Sequence, residues 1–199
     1  MSVRFVDETG CGFGWIEAAR MQRTSHALAA AGRVWVIDPI EGDGVDEQIR
    51  ALGEPAGVIQ LLDRHERDGA ALAERLGVPL HVVPQAVEGS PFRFLPVASS
   101  RWWREVALWW PDERVLACAD VLGTLPYFRA GAEPAGVHPM LRFRPPRSLA
   151  GLGAEHLLVG HGEGLHGPGT AAAVDDALRH ARRRIPRWLV QLPRLLRAG

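Results

Sequence analysis

The sequence contains no lysine, so all 23 of its cationic side chains are arginines, and 23 acidic residues balance them. Because the net charge is zero, no overall field draws the chain to nucleic acid, and we expect no nucleic-acid partner. Only two cysteines are present, Cys11 and Cys118, which excludes a disulfide scaffold and suits a reducing compartment. We therefore expect a cytoplasmic protein.

Long hydrophobic runs are also absent. No stretch approaches the roughly 18 consecutive apolar residues of a membrane span. The first residues show no basic region followed by an apolar run, so we expect neither a signal peptide nor a transmembrane segment. With 199 residues, 47% of them apolar, and no internal repeat or break in composition, the chain is predicted to form a single domain over residues 1–199.

The zero net charge conceals a basic C-terminus. Residues 179–199 contain seven arginines and no acid, a pattern that can mark contact with acidic lipids or nucleic acid. We favour a basic C-terminal helix that docks on the acidic remainder of the chain or on a second copy, which leaves a homodimer open. Pro186 and Pro193 argue against one long ideal helix in this region.

Apolar runs and periodicity predict alternating strands and helices in the first half of the chain. The expected strands are residues 33–40, 56–62 and 78–83, and the expected helices are residues 44–52 and 67–76. This order is typical of parallel strands joined by helical crossovers.

Beyond residue 90 the pattern changes to short strands. They are expected at residues 92–97, 105–110, 115–119 and 156–159, with a closing helix at residues 170–184. The turn Pro-Asp-Glu-Arg at 111–114 joins two of these strands in a hairpin, and the sheet that contains it is therefore predicted to be mixed.

Candidate metal ligands follow three of the predicted strands. Asp63 and His65 come after the second strand and would share a face if the chain there is extended, and Asp68 lies in the first turn of the next helix. Asp120 follows the hairpin, and His161 stands between two glycines after the last strand. Carboxylates and imidazoles are suitable zinc ligands. Taken singly, each residue also fits a simpler role, as a helix cap or a hydrogen-bonded structural histidine.

The order of these motifs resembles the metallo-β-lactamase-fold hydrolases. Asp-x-His-x-x-Asp at 63–68 corresponds to the family's His-x-His-x-Asp-His, Asp120 to its bridging aspartate, and His161 to its last histidine. Ile-Asp-Pro at 37–39 also looks like the family's strand before the ligand motif. The resemblance implies an α/β fold, a metallo-β-lactamase-like αββα sandwich of two mixed β-sheets flanked by helices. It further implies a metal-dependent hydrolase that binds a divalent ion, zinc by preference, and acts on a small-molecule substrate.

This sequence departs from the family's ligand set. The positions of three family ligands hold Asp63, Arg67 and Asp68, and the later histidine falls at Arg101. Carried over residue by residue, the resemblance implies the metal ligands Asp63, His65, Asp68, Asp120 and His161. It gives a catalytic role to Asp120 and a second one to Arg101, which, or else Arg67, would stabilise the negative charge of a substrate or intermediate. In the alternative, a guanidinium pairs with these carboxylates in place of a metal, and the protein is a non-catalytic binder of a small ligand or a protein partner.

His138 and Trp102 are candidate substrate contacts. His138 lies in the proline-rich segment between the two later motifs and has the chemistry to complete a ligand set or carry a proton. Trp102 and Trp103 are adjacent, as are Trp109 and Trp110. Neighbours on a strand face opposite sides, so we expect one tryptophan of each pair in the core and the other outside or on a pocket wall.

Overall fold

The computed structural model describes residues 1–197. Its helices are α1 (Val45–Leu52), α2 (Gly69–Leu76), α3 (Thr170–His180) and α4 (Ile185–Arg197). Its first six strands are β1 (Val3–Thr9), β2 (Gly12–Glu17), β3 (Thr24–Ala30), β4 (Arg33–Ile37), β5 (Glu54–Gln60) and β6 (Leu80–Val82). The others are β7 (Arg93–Ser100), β8 (Trp103–Trp110), β9 (Val115–Cys118), β10 (Leu122–Gly123), β11 (Gly136–Val137), β12 (His156–Val159) and β13 (Leu165–His166).

Strands β1 to β6 form one sheet in chain order. The pairs from β1 to β4 are antiparallel, whereas β4, β5 and β6 are parallel and are joined through α1 and α2. The predicted parallel run is therefore confirmed. The sequence patterns did not indicate β1 and β2, because the glycines of β2 weaken its strand signal. One of them is required: a β-carbon at Gly12 would lie 2.1 Å from the carbonyl oxygen of Ala27 on β3.

The second sheet has the order β13-β12-β9-β8-β7. Strands β7, β8 and β9 are antiparallel, and β12 runs parallel to β9. This confirms the predicted hairpin and the mixed sheet. Strands β10 and β11 form a separate short pair beside it.

The two sheets pack face to face, with helices on both outer faces. The apolar layer between them includes Trp35, Ile59 and Leu108. Helices α1 and α2 cover the outer face of the first sheet through side chains such as Ile49, and α3 covers the second sheet through residues such as Leu178. The expected αββα arrangement is therefore present.

The adjacent tryptophans follow the alternation rule in only one of the two pairs. Trp102 is 66% exposed while Trp103 is buried, as predicted. Trp109 and Trp110 are both buried, so the prediction for this pair is wrong. The reason is that both faces of β8 are covered: Trp110 packs between the sheets, and Trp109 packs in the apolar layer beneath α3.

Residues 185–197 of the basic C-terminal segment form helix α4 in spite of its two prolines, whereas the helix predicted for residues 170–184 ends at His180 and residues 181–184 form a turn. Pro186 lies in the first turn, where its missing N–H has no intrahelical acceptor, and Pro193 lies inside the helix. The helix docks on the rest of the chain, since Trp188 Nε1 donates to the Tyr127 carbonyl at 2.7 Å. Residues 198 and 199 of the predicted segment lie outside the described residues. Within residues 1–197, no helix combines the length and the apolar character needed to cross a membrane.

Candidate metal centre

Three predicted ligands converge at one end of the sandwich. Asp120 and His161 each stand two residues beyond the end of a strand, β9 and β12 respectively. These strands are neighbours, parallel and in register, with Cys118 opposite Val159, so their carboxyl ends reach the same edge. His65 approaches from the first sheet, in the turn after β5, where its N–H donates to the Leu62 carbonyl.

The two imidazoles meet at a single carboxylate oxygen. His65 Nε2 lies 3.1 Å from Asp120 Oδ1, and His161 Nε2 lies 3.2 Å from the same atom. One ligand-type atom from each of the three residues lies within 4.8 Å of the others. Both histidines are buried and Asp120 is largely so, which reduces competition from water for these atoms.

The outer nitrogen of each ring is already engaged. His65 Nδ1 lies 3.0 Å from Asp38 Oδ2, and His161 Nδ1 lies 2.7 Å from the Met21 carbonyl oxygen. Both partners are acceptors only, so each Nδ1 carries a proton and donates. In the neutral rings the Nε2 atoms are therefore lone-pair acceptors, and they face a carboxylate that is also an acceptor. Metal-bound histidines are held in the same way.

This arrangement fits a divalent ion. Asp120 Oδ1 is buried and makes no hydrogen bond among the described residues, because the two imidazole contacts have the distance but not the direction of one. An acceptor facing two further acceptors is stable only with a proton or a cation between them. Two imidazoles and one carboxylate are also a ligand set that zinc takes in catalytic sites, where three protein ligands leave one position open.

The charges of the group formed by His65, Asp120 and His161 favour a bound cation. Burial raises the pKa of Asp120, but the adjacent His161 and His65 outweigh it and hold that pKa well below its usual range. Burial and the charge of Arg67 lower the pKa of His65, whereas Asp38 and Asp120 raise it, and the net direction is upward. Asp120 is therefore ionised at neutral pH, and in the metal-free chain His65 holds a proton more tightly than a free histidine does.

Arg67 lies against this group without pairing with its carboxylate. Its partly buried guanidinium donates to the carbonyls of Thr24, Asp38 and Gly160 at 2.7, 2.8 and 2.9 Å. These carbonyls belong to both sheets, so Arg67 joins the sheets at the base of the site. In the described part of the chain, its hydrogen bonds go to backbone oxygens and leave the atoms of Asp120 free for a cation.

The structure does not bring Asp63 and Asp68 to the group. The expectation that Asp63 and His65 share a face assumed an extended chain, but residues 62–65 form a turn. Asp63 instead pairs with Arg104 on β8, Nε to Oδ2 at 3.3 Å. Asp68 precedes α2 and accepts a hydrogen bond from the Glu41 N–H at 2.7 Å. We therefore leave both aspartates out of the ligand set.

Arg101 and Trp102 occupy an exposed turn. They form the turn between β7 and β8, where the Arg101 guanidinium stacks 4.0 Å from the centre of the exposed Trp102 ring. Both side chains are exposed, and within residues 1–197 no hydrogen bond joins Arg101 to His65, Asp120 or His161. The catalytic role of Arg101 and the substrate contact of Trp102 stay predictions.

His138 lies beside the group, within an aromatic cluster. Its buried ring lies 4.8 Å from that of Trp103 and 5.6 Å from that of Phe128, which in turn stacks on His161 at 6.0 Å. Burial lowers the pKa of His138 to about 4, so the ring is neutral at physiological pH. Its Nδ1 accepts from the Met140 N–H at 3.3 Å, which places the single proton on Nε2.

Glu105 supports the group and was missed by the sequence analysis. This buried carboxylate accepts the N–H groups of Asp120 and Val121, both at 2.9 Å, and the indole N–H of Trp103 at 2.8 Å. Burial raises its pKa to about 7 even though these donors favour the charged form. The sequence feature that could have pointed to Glu105 is its position as the single acid in the largely apolar run Trp103–Trp110. Asp38, the support of His65, was noted only within the Ile-Asp-Pro motif.

Comparisons with known proteins place the fold. No family model matches the chain, and no curated protein matches it either. Among solved structures, the DIM-1 metallo-β-lactamase exposed to ceftazidime aligns with a TM-score of 0.57 and 12% identity over 91% of this chain and 98% of its own.

Two further metallo-β-lactamases give the same result. The one from Erythrobacter litoralis has a TM-score of 0.57 and 10% identity, over 90% of this chain and 93% of its own. The B3 enzyme BLEG-1 has a TM-score of 0.60 and 16% identity, over 83% of this chain and 97% of its own. Identities this low establish the architecture and leave the reaction open. The sequence resemblance and the layered sheets agree with these alignments: the chain has the metallo-β-lactamase fold.

Proposed function

We propose that the protein is a metal-dependent hydrolase in which His65, Asp120 and His161 hold a divalent ion, by preference zinc. The observation that carries the proposal is the buried Asp120 Oδ1, which has no hydrogen bond and faces two imidazole nitrogens at 3.1 and 3.2 Å. Since both imidazoles donate through their other nitrogen, a cation is the partner that satisfies all three atoms together.

The ion would supply Lewis acidity and acidify a water molecule to near neutral pH. The chain's own residues prepare the site for it. Asp38 and the Met21 carbonyl hold the imidazoles in one tautomer. Glu105 holds the Asp120 backbone. We assign a substrate contact to His138, whose neutral ring offers an Nε2–H donor to an oxygen of a small-molecule substrate.

The non-catalytic alternative requires arginine to occupy the place of the metal. The contacts of Arg67 weigh against it, because its guanidinium hydrogen bonds go to backbone carbonyls of Thr24, Asp38 and Gly160. We therefore favour the metal-dependent enzyme, and metal analysis separates the two.

The test is elemental analysis of protein purified without chelator. We expect about one transition-metal ion per chain, lost in the variants His65→Ala, Asp120→Ala and His161→Ala. The matched control is His81→Ala, which changes a histidine on edge strand β6 and should retain the ion. Hydrolysis of esters, thioesters, lactones and β-lactams would then be assayed with and without the ion.

A folded wild-type chain that holds no ion, and takes up none after incubation with Zn²⁺, would refute the proposal. Retention of the ion in all three variants would place the site elsewhere. Circular dichroism of each variant shows whether a loss of metal reflects a loss of fold.

A further inference from the structure

A cavity separate from the metal centre lies on the outer side of the second sheet. It has a volume of about 790 Å³ and opens between α3 and the segment of residues 144–151. None of the metal-centre residues lines it. On the helix side it is lined by Asp175, Leu178, Arg179 and Arg182, whose spacing places them on one face of α3 and its extension.

The cavity carries a concentrated positive charge. Four arginines line it, Arg144, Arg147, Arg179 and Arg182, against the single acid Asp175. Asp175 Oδ1 is already engaged by the Gly151 N–H at 2.9 Å. The nearby Asp176 does not neutralise the cavity either, because it pairs with His180 and Arg184.

The guanidinium groups are available to a ligand. Within residues 1–197, Arg144, Arg147 and Arg179 form no ion pair, and all three are exposed at the cavity mouth. Arg182 is anchored, since its Nε donates to the Phe143 carbonyl at 2.6 Å. Several like charges around one cavity repel one another, so an anion bound there would relieve that repulsion.

The uncharged residues that line the cavity indicate which kind of anion it would bind. Pro145, Pro146 and Leu178 give the cavity an apolar wall, and its volume is in the range of small-molecule sites. Guanidinium groups bind phosphate through paired, planar hydrogen bonds. We infer that this cavity binds a small phosphorylated ligand, with the phosphate at the arginines and an apolar or planar body, such as a nucleoside, against the proline wall.

Binding would be measured by calorimetry and by thermal unfolding at fixed ionic strength. The probes are ADP, inorganic phosphate and adenosine. We expect ADP to bind and to raise the melting temperature, phosphate alone to bind more weakly, and adenosine to have no effect. If phosphate binds as tightly as ADP, the site takes the free anion and the assignment of a ligand body is overturned.

The double variant Arg147→Gln/Arg179→Gln should weaken ADP binding at least tenfold. The matched control is Arg50→Gln, an exposed arginine on α1 across the molecule, which should bind as the wild type does. Because the replaced side chains are exposed, both proteins should fold, and circular dichroism checks this. Equal binding by the double variant and the control would refute the site. The proposal would also be refuted if a single-stranded oligonucleotide bound to the wild type and was not displaced by ADP. The metal content is an independent readout, so failure here leaves the hydrolase proposal untouched.

Discussion

His65 Nδ1 lies 3.0 Å from Asp38 Oδ2, while the other nitrogen of the same ring faces Asp120 at 3.1 Å. The imidazole therefore lies between two carboxylates with different roles: Asp38 orients the ring, and Asp120 belongs to the proposed ligand group. Asp38 accepts a hydrogen bond from the Nδ1–H of the ring and, through its other oxygen, one from the Leu61 N–H at 2.8 Å. The ring orientation is set by a residue that does not itself belong to the ligand group.

Asp38→Asn is therefore expected to weaken metal binding. The asparagine amide has one acceptor oxygen for two donors, so either His65 or Leu61 loses its partner. Loss of such a supporting carboxylate lowers metal affinity by about 10- to 100-fold. Competition with a coloured chelator measures the affinity. The exposed Asp112→Asn is the control, and equal affinities for the two variants would show that Asp38 does not orient His65.

Metal affinity should fall as the pH is lowered. The net shift raises the pKa of His65, so in the metal-free chain a proton competes for its Nε2 already near neutral pH. Each proton displaced on binding makes the dissociation constant rise about tenfold per pH unit below that pKa. Titrations with Zn²⁺ at pH 6, 7 and 8 in two buffers of different ionisation enthalpy would reveal proton release. A dissociation constant that does not change with pH would contradict the assignment.

The contacts of Asp7 predict that the folded protein loses stability in acid. Its carboxylate accepts from His26 Nε2 on β3 and from His166 Nε2 on β13, both at 3.1 Å, and so joins the two sheets. Burial raises its pKa, but the hydrogen bonds from His166 and His26 outweigh burial and hold the pKa well below its usual range. Because the folded-state pKa is the lower one, this stabilisation is complete above the unfolded value of about 3.9 and is lost as the pH falls below it.

The variant Asp7→Asn tests this expectation. At pH 7 we expect a decrease of about 2 kcal/mol in the free energy of unfolding, since charge-assisted hydrogen bonds are replaced by neutral ones. Between pH 4 and pH 2 the wild type should lose more stability than the variant. Urea denaturation at four pH values measures both effects, and parallel pH profiles for the two proteins would show that Asp7 does not carry the acid sensitivity.

Arg67→Lys should destabilise the chain even though the charge is kept. The guanidinium reaches three carbonyls in a planar arrangement, whereas a single ammonium on a shorter, flexible chain cannot satisfy them together. Each buried carbonyl left without a partner costs about 1–3 kcal/mol. Denaturant midpoints would be compared with those of Arg50→Lys, a change at an exposed arginine on α1, which should have a small effect.

The local sequence was sufficient to predict much of the framework. Periodicity and turn residues placed the parallel run β4–β6, the β8–β9 hairpin and β12, because these patterns follow directly from which side chains each strand and helix buries. The same patterns put His65, Asp120 and His161 just after strands of the sandwich. Residues that follow parallel neighbours such as β9 and β12 reach one edge of a sheet, so convergence was predictable in outline.

The tertiary structure decided which candidates meet and what they contact. The turn at residues 62–65 separates Asp63 from His65, a choice of backbone path that residue types do not reveal. Apart from Trp103, which is two residues from Glu105, the partners of the Arg67, Asp38 and Glu105 side chains lie 15 or more residues away and come within hydrogen-bond range only when the chain folds. Sequence patterns record the burial preferences of individual elements, whereas a site depends on distances between elements, and those are set by the packing of the whole chain.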